Sequence, residues 1–222
     1  MSHELRTPLT SIGLSLKILA EGTVGPLPPA AREVLAIAER NVDRMVRLAN
    51  DVLDLKRLEA GRMDLRRETV AVQSVVDGCF ELLRALANGR GVVLESLPTT
   101  ARALGDEERI EQVLTNLLAN AIKFSPVGGR IRVETRADDE WVEVRVTDEG
   151  PGVPVRYRES IFERYRQVPR SDAAARPGSG LGLAICQAIV SQSGGTMGLE
   201  SEEGRGSCFW FRLPCAGAMR SA

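Results

Sequence analysis

Two stretches of the chain repeat apolar residues in alternating steps of three and four positions, a pattern that leaves few folds open. The first stretch contains Leu5, Leu9, Ile12, Leu16 and Leu19. The second contains Leu35, Ala38, Val42, Met45, Ala49 and Val52. Such steps place side chains along one face of an α-helix, as in a coiled coil. The sequence therefore predicts two long amphipathic helices, each with one apolar seam.

A short turn joins the two predicted helices. The segment Glu21–Pro29 contains two glycines and three prolines, which break a helix. Two long helices with a short connection form an antiparallel hairpin. A lone hairpin would leave its seam in water, so we expect two copies to pair into a four-helix bundle, and thus a homodimer.

After Gly61 the pattern changes from helical to mixed, which predicts an α+β chain with an α/β sandwich following the hairpin. We expect a hairpin over residues 1–60, a second domain over 61–216 and a tail over 217–222. The predicted helices are Val70–Leu86, Asp106–Phe124 with Asp106 as its N-cap, and Leu181–Ser193. The predicted strands are Val92–Glu95, Ile131–Thr135, Trp141–Val146, Met197–Glu200 and Ser207–Leu213. Tyr157–Ala175 is charged and irregular, as in a mobile loop, and we expect the tail after Pro214 to fray.

Composition excludes several functional classes. The net charge is −1 and aromatic residues make up 4% of the chain, which argues against nucleic-acid binding. The four cysteines show no CxxC spacing and there is one histidine, so we expect reduced thiols and no zinc site. The longest apolar stretch, Leu181–Val190, is half the length of a membrane-spanning helix. We therefore expect no membrane segment in this chain, a cytoplasmic location, and any membrane anchor in a region outside it.

The only histidine, His3, stands near the start of the first predicted helix. It falls on a different face from the apolar seam, as does Thr7, so we expect its ring to lie in water. A solvated surface histidine is one interpretation. The alternative is a reactive histidine, because Glu4 follows directly and can hydrogen-bond the ring, which raises its basicity.

The predicted helix Asp106–Phe124 carries a polar group of three residues. Asn116, Asn120 and Lys123 are spaced by four and three positions and so share one face. Two amide oxygens and an ammonium group suit a hydrated Mg²⁺ ion and its phosphates. An ordinary polar surface stripe is the alternative interpretation.

Two glycine-rich turns complete the set of candidate segments. In Asp148–Gly152, which follows a strand, the Asp148 carboxylate could accept a hydrogen bond from an adenine amino group; an ordinary hairpin turn is the alternative. Gly178–Leu183 opens a helix, where free N–H groups and the helix dipole favour phosphate. The chain has no GxxxxGK[ST] motif, so an ATP site here is not a Walker-type P-loop.

In this order and spacing, the segments resemble the characteristic boxes of sensor histidine kinases. Ser2–Leu9 resembles the H-box, Asn116–Phe124 the N-box, Asp148–Gly152 the G1 box, Ile161–Tyr165 the F-box, Gly178–Leu183 the G2 box and Gly194–Phe211 the closing glycine-rich hairpin. The resemblance implies a gyrase/Hsp90-type ATP-binding domain. It also implies autophosphorylation from ATP and Mg²⁺, with transfer to an aspartate in the receiver domain of a response regulator.

The resemblance assigns roles to individual residues. His3 would be the nucleophile, Glu4 its general base, and Thr7 the residue that positions water when the regulator is dephosphorylated. Asn120 would ligate Mg²⁺, and Asp148 would recognise adenine. The full ATP-binding set implied by the family is Asn116, Asn120, Lys123, Phe124, Asp148, Gly150, Gly152, Arg164, Arg166, Gly178, Gly180, Leu181, Gly182, Leu183 and Ser207.

Two features depart from the family pattern. Arg164, Arg166 and Gln167 crowd the place from which the family sends an arginine to the γ-phosphate, and which of them reaches it stays open. His3 also has almost no helix before it, so we expect either a fragment of a longer chain or a helix with almost no lead-in.

Two other functions remain as alternatives. An ATP hydrolase of the same fold would carry a glutamate where Asn116 stands, since an amide cannot activate water, and it would lack the hairpin with His3. A non-catalytic dimeric interaction module with a vestigial pocket is the other, and the intact Asn120, Asp148 and glycines argue against it.

Overall fold

The chain divides into two compact units, Met1–Ala60 and Gly61–Ala222. The computed structural model describes residues 2–23, 25–59, 65–168 and 179–217, with side chains for 7–23, 25–56, 65–168 and 179–217.

The first unit is a pair of helices. Helix α1 spans Ser2–Ala20 and helix α2 spans Pro29–Glu59, and the two pack against each other. Pro29 suits the first position of α2, because its fixed φ is already helical and its missing N–H would have no partner there. The glycine of α1, Gly13, lies where an added Cβ would contact Val42 of α2 at 3.4 Å. The two predicted helices are confirmed.

Within one copy of this unit, the apolar seam is only partly covered. Leu35 and Leu55 are buried, but the seam residues Ile12 and Met45 remain 49% and 54% exposed. A hairpin has too little surface of its own to cover both seams.

The second unit contains seven strands and three α-helices in its described part. The strands are β1 (Glu68–Ala71), β2 (Val93–Ser96), β3 (Arg102–Gly105), β4 (Arg130–Ala137), β5 (Trp141–Asp148), β6 (Thr196–Ser201) and β7 (Ser207–Pro214). The helices are α3 (Val72–Arg90), α4 (Glu107–Phe124) and α5 (Gly182–Gln192), with short 3-10 turns at Val155–Tyr157 and Ser160–Phe162.

A five-stranded sheet in the order β2-β4-β5-β7-β6 forms one layer of this unit, with β2 parallel to β4 and the other pairs antiparallel. Its inner face is apolar, because alternate residues of β5 such as Val142, Val144 and Val146 are buried. Helices α4 and α5 pack on the sheet and on each other, and α3 packs on α4. The result is the expected two-layer α/β sandwich.

On the outer face of the sheet, the buried Glu143 forms ion pairs with two arginines. The Glu143 carboxylate accepts hydrogen bonds from Arg212 at 2.6 Å and from Arg145 at 3.1 Å. Burial raises the pKa of Glu143, but these two arginines outweigh burial and hold the pKa below its ordinary value.

One predicted helix boundary is wrong. Val70 was expected to begin a helix over Val70–Leu86, but it lies in β1, and α3 begins only at Val72 and continues to Arg90. Strand β1 forms by pairing with β3, which lies about thirty residues further along the chain. Neither short strand was predicted, because a pairing between distant segments leaves no local period in the sequence.

The remaining differences concern loops and ends. The expected loop Tyr157–Ala175 contains a 3-10 turn over Ser160–Phe162 and is described only to residue 168. The tail was expected to fray after Pro214, but Cys215 N–H donates to Glu140 C=O at 2.8 Å and Ala216 N–H donates to Arg102 C=O at 2.9 Å. All four cysteines are free thiols. No helix in the described ranges has the length and apolar character needed to cross a bilayer.

The N-cap of α4 yields a prediction about stability. Asp106 accepts hydrogen bonds from the backbone N–H of Arg109 at 3.3 Å and of Arg66 at 3.1 Å. Asp106→Ala would leave both donors without this partner, so the free energy of unfolding of the second unit should fall by about 1–2 kcal/mol. Urea unfolding followed by the fluorescence of Trp141 and Trp210, both in the sheet, measures this loss.

Asp139→Ala provides the matched control, because Asp139 is an exposed carboxylate in the turn between β4 and β5. Its free energy of unfolding should change by less than about 0.5 kcal/mol. Equal losses in the two variants would contradict the capping role of Asp106.

Candidate functional site

Helix α4 presents a polar face because its opposite face is buried. Ile110, Leu114, Leu117 and other apolar residues pack into the core, which turns Asn116, Asn120 and Lys123 together toward a partly open edge. All three are partly buried.

Lys123 lies in the last turn of α4, where the helix dipole favours a cation. Its ammonium group lies 4.9 Å from the centroid of the Phe124 ring, within the range of a cation–π interaction. The two predicted site residues at this end of the helix are therefore in contact.

At the end of β5, Asp148 is a buried carboxylate with only 6% of its surface exposed. It accepts a hydrogen bond from the backbone N–H of Gly150 at 2.8 Å, and the backbone of Ser207 also lies near this carboxylate. Burial raises the pKa of Asp148 to about 6, although these two backbone groups act to lower it. A buried, titratable acceptor of this kind is typical of a binding or catalytic site.

The glycines of the 148–152 loop are required by close contacts within the protein. A Cβ on Gly150 would lie 2.6 Å from Asp148 Oδ1 and 3.1 Å from the Phe124 carbonyl oxygen, so the loop lies against the end of α4. A Cβ on Gly152, which has φ of +72°, would overlap the Glu202 carbonyl oxygen. The second glycine is thus explained by packing on the β6–β7 turn.

The start of α5 faces the polar side of α4. A Cβ on Gly182 would stand 3.6 Å from Asn116 Oδ1, so the absence of a side chain widens the space between the two helices. The N-cap residue, Leu181, is fully buried and carries no polar atom that could cap the helix. No side chain in the described part of the chain caps this helix, and the N–H groups of such a first turn favour an anionic ligand. Leu183, in the same turn, is partly buried.

The F-box segment contacts the turn before α5. Tyr165 has a positive φ of 60°, and its N–H donates to Gly180 C=O at 2.8 Å. A Cβ on Gly180, itself at φ +69°, would lie 2.8 Å from the Tyr165 backbone. Arg164 and Arg166 are exposed on this segment, and Arg166 pairs with Glu163 at 2.9 Å.

The described part of the structure does not place several of the predicted residues at this site. The side chains of His3 and Glu4 lie outside the described residues, as does Gly178. Thr7 is described and exposed on α1, in the first unit.

Ser201 joins the site although the sequence did not single it out. Its hydroxyl contacts Val153 N–H at 2.8 Å, Gly206 C=O at 2.8 Å and the predicted residue Ser207 at 3.0 Å. A signal was present, since Ser201 directly follows the predicted strand Met197–Glu200 and Ser207 begins the next one, and residues that flank a hairpin turn face each other.

The described residues fit a nucleotide with a divalent cation better than a metal held by protein alone. Among them, no group of three or more histidine, cysteine, aspartate or glutamate side chains could hold a metal ion. Mg²⁺ commonly takes one or two protein ligands, with phosphates and water completing its coordination. Asn120 and Asn116 offer such ligands, and the open start of α5 offers a place for phosphates.

Comparison with known proteins agrees with this geometry. Residues 105–217 match the family described as histidine kinase-, DNA gyrase B- and HSP90-like ATPases, and residues 1–61 match the His Kinase A (phospho-acceptor) domain. The circadian input-output histidine kinase CikA of Thermosynechococcus vestitus is 36% identical over 219 residues, covering 96% of this chain and 30% of that protein. The signal transduction histidine-protein kinase BarA of Escherichia coli (strain K12) is 36% identical over 221 residues, covering 96% of this chain and 24% of that protein.

Solved structures are similar over the same region. The crystal structure of full-length ShkA in complex with AMPPNP has a TM-score of 0.78 and 32% identity, covering 97% of this chain and 44% of that one. The mycobacterial sensor histidine kinase MprB has a TM-score of 0.60 and 31% identity, covering 67% of this chain and 97% of that one. The chain thus spans only about a quarter to a third of the length of the two curated relatives. Because the two family matches together cover both the helical hairpin and most of the α/β sandwich, the chain belongs to the sensor histidine kinase family.

Proposed function

We propose that this chain is an ATP-dependent protein histidine kinase that phosphorylates His3 and passes the phosphoryl group to an aspartate of a response regulator receiver domain. The observation that carries the proposal is the convergence of three elements in the second unit. The loop after the buried Asp148 lies against the end of α4 at Phe124, and the start of α5 lies beside Asn116 on the polar face of α4.

The proposed pose of ATP follows from the chemistry of these groups. Asp148 is the proposed acceptor for the adenine amino group, since an ionised carboxylate can only accept and the Gly150 N–H already donates to it. The first turn of α5, with Gly180 and Gly182, receives the phosphates. Lys123 adds a positive charge at the far end of α4.

Asn120, assisted by Asn116, is the proposed ligand of Mg²⁺. Bound with the triphosphate, Mg²⁺ would offset negative charge on the phosphate oxygens. Neutral amides ligate the ion without placing further negative charge beside the phosphates. An amide also cannot take a proton from water, so Asn116 favours phosphoryl transfer to a side chain over the hydrolase alternative.

In the proposed reaction a neutral ring nitrogen of His3 attacks the γ-phosphorus of ATP. A P–N bond forms, the P–O bond to the β–γ bridging oxygen breaks, and ADP leaves. With an ordinary histidine pKa of about 6.5, the ring is mostly neutral near pH 7.5. Glu4 accepts the proton from the other ring nitrogen.

The phosphoryl group then moves from His3 to the regulator's aspartate, so that a P–N bond breaks and an acyl phosphate forms. Thr7 is the proposed residue for the opposing activity, in which water attacks the acyl phosphate of the regulator and inorganic phosphate leaves. It lies one helical turn from His3 and is exposed, so its hydroxyl can hold a water near a docked regulator.

A homodimer is part of the proposal. Ile12 and Met45 are about half exposed within one hairpin, and a second hairpin would cover them in a four-helix bundle. We place this core in the cytoplasm, where ATP and a receiver domain are available.

The nucleophile has a direct test, because the chain contains a single histidine. His3→Gln should bind ATP normally but take up no acid-labile phosphate from γ-labelled ATP, since an amide forms no phosphohistidine. The control is Thr10→Ala, an exposed change on the same helix that should leave labelling intact. Acid-labile label on the His3→Gln protein would refute the assignment.

The metal ligand can be tested in the same assay. Loss of a residue that only hydrogen-bonds to a metal ligand typically lowers metal affinity or activity about 10–100-fold. Asn120→Ala removes a proposed ligand itself, so it should lower the autophosphorylation rate at least as much. Its Mg²⁺ requirement should also shift to higher concentration. Asn88→Ala, on the exposed side of α3, is the matched control. A folded Asn120→Ala protein with unchanged rate and Mg²⁺ dependence would show that Asn120 is not the ligand.

The raised pKa of Asp148 predicts a pH dependence of ATP binding. Binding favours the ionised carboxylate as acceptor, so affinity should be constant above about pH 7 and should fall as pH drops through about 6. Asp148→Asn should bind more weakly at pH 7.5 and should lack this step, because an amide does not titrate there. Calorimetric titration of ATP into each protein from pH 5 to 8 measures this difference. Protonation of the ATP phosphates affects both titrations equally, so it does not obscure the comparison. An identical pH profile in both would contradict the role of Asp148.

A further inference from the structure

Three polar side chains form a row at one end of the inner face of the sheet. In the strand register, Asp148 of β5 stands opposite Ser207 of β7, and Ser207 stands opposite Ser201 of β6. Directly paired residues of antiparallel strands place their side chains side by side on the same face. Asp148 and Ser207 are buried and Ser201 is partly buried, so the row lies where the core meets the candidate nucleotide site.

The hydrogen of the Ser201 hydroxyl can be located from its neighbours. Ser201 Oγ lies 2.8 Å from the Gly206 carbonyl oxygen, and two oxygens at this distance need a hydrogen between them. A carbonyl has none, so Ser201 is the donor. Val153 N–H approaches Ser201 Oγ from the other side, also at 2.8 Å, and can only donate. Two backbone groups that cannot exchange roles therefore fix the orientation of this hydroxyl.

The same reasoning fixes the hydroxyl of Ser207. Ser201 Oγ and Ser207 Oγ are 3.0 Å apart, and the single hydrogen of Ser201 is already directed at Gly206. The hydrogen in this contact must therefore come from Ser207. The remaining capacity of Ser207 Oγ is then its lone pairs, which can only accept.

We propose that Ser201 is a positioning residue that holds the Ser207 hydroxyl as a hydrogen-bond acceptor, so that Ser207 and Asp148 together select a purine with an amino group at C6 over one with a keto oxygen. The inference rests on the proposed function, in which Asp148 faces the adenine edge. A 6-amino group donates to this row, whereas a 6-keto oxygen would meet only acceptors. Discrimination against such a mismatch is strong when polar groups are buried and cannot turn away.

The surrounding backbone keeps the row rigid. Gly204 N–H donates to Pro151 C=O at 2.8 Å, so the β6–β7 turn is bonded to the 148–152 loop. A Cβ on Gly206 would overlap the Asp148 carbonyl oxygen, which shows how closely the turn approaches the end of β5. Ser201 thus joins two segments that both border the proposed base site.

The test compares affinities for ATP and for inosine triphosphate, which differ in carrying an amino or a keto group at C6. In Ser201→Ala the Ser207 hydroxyl is free to turn and donate to a keto oxygen. The affinity for ATP divided by the affinity for inosine triphosphate should therefore fall by about threefold to tenfold, the loss expected for one hydrogen bond. Ser201→Thr keeps the hydroxyl and should retain the wild-type ratio. Ser193→Ala is the matched control, because the Ser193 hydroxyl is also buried and donates to a backbone carbonyl, that of Ile189. Ser193 lies before the start of β6, whereas Ser201 is the last residue of that strand.

A double variant separates positioning from general loosening. In a Ser207→Ala background, Ser201→Ala should not change the ratio further, because the hydroxyl through which Ser201 acts is gone. Equal weakening of both nucleotides in Ser201→Ala, with an unchanged ratio, would indicate a structural role and overturn the inference. So would a further fall in the double variant.

Asp148→Asn distinguishes failure of this inference from failure of the proposed site. An amide can turn its N–H₂ toward a keto oxygen, so this variant should also lower the ratio. If Asp148→Asn lowers it and Ser201→Ala does not, only the role of Ser201 is overturned. If neither variant lowers it, the adenine-recognising role of Asp148 is overturned as well.

Discussion

The arrangement of the second unit depends on how the Asp148 carboxylate is buried. A carboxylate can leave water only if polar groups replace its hydration. Here the Gly150 N–H donates to Asp148 at 2.8 Å, and the backbone of Ser207 lies nearby. To bring those groups close, the 148–152 loop must fold back on β5 and the β6–β7 turn must approach it. That approach leaves no room for a Cβ at Gly152 or Gly206. One buried acceptor thus accounts for two of the glycines that mark this part of the sequence.

The polar site is positioned by the apolar core rather than by its own polar contacts. Helix α4 is held by a buried stripe, and Asn116 and Asn120 face the nucleotide side because that stripe faces the sheet. Helix α5 is likewise anchored by buried residues, including Leu181 at its start. Gly182 then keeps the gap between the helices open next to Asn116. Packing forces of this kind are not directional, but they fix where the directional groups point.

The two units differ in how much of their stabilisation lies within one copy. The sandwich buries a continuous core between its sheet and helices. The hairpin buries Leu35 and Leu55 but leaves Ile12 and Met45 half exposed. Covering such a surface by association lowers the free energy of the system. The proposed homodimer would therefore stabilise the hairpin itself, in addition to any part in signalling.

Sequence alone determined the elements whose signal is local. The steps of three and four specified the two hairpin helices, alternation specified the longer strands, and the spacing of Asn116 and Asn120 specified a shared helical face. What only the tertiary structure decided were relations between distant segments. The pairing that makes Val70 part of a strand, the close approach of the Glu202 carbonyl that explains Gly152, and the approach of Gly182 to Asn116 all join residues on separate elements. Such contacts leave no period in the sequence, because register and packing, rather than propensity, decide which residues meet.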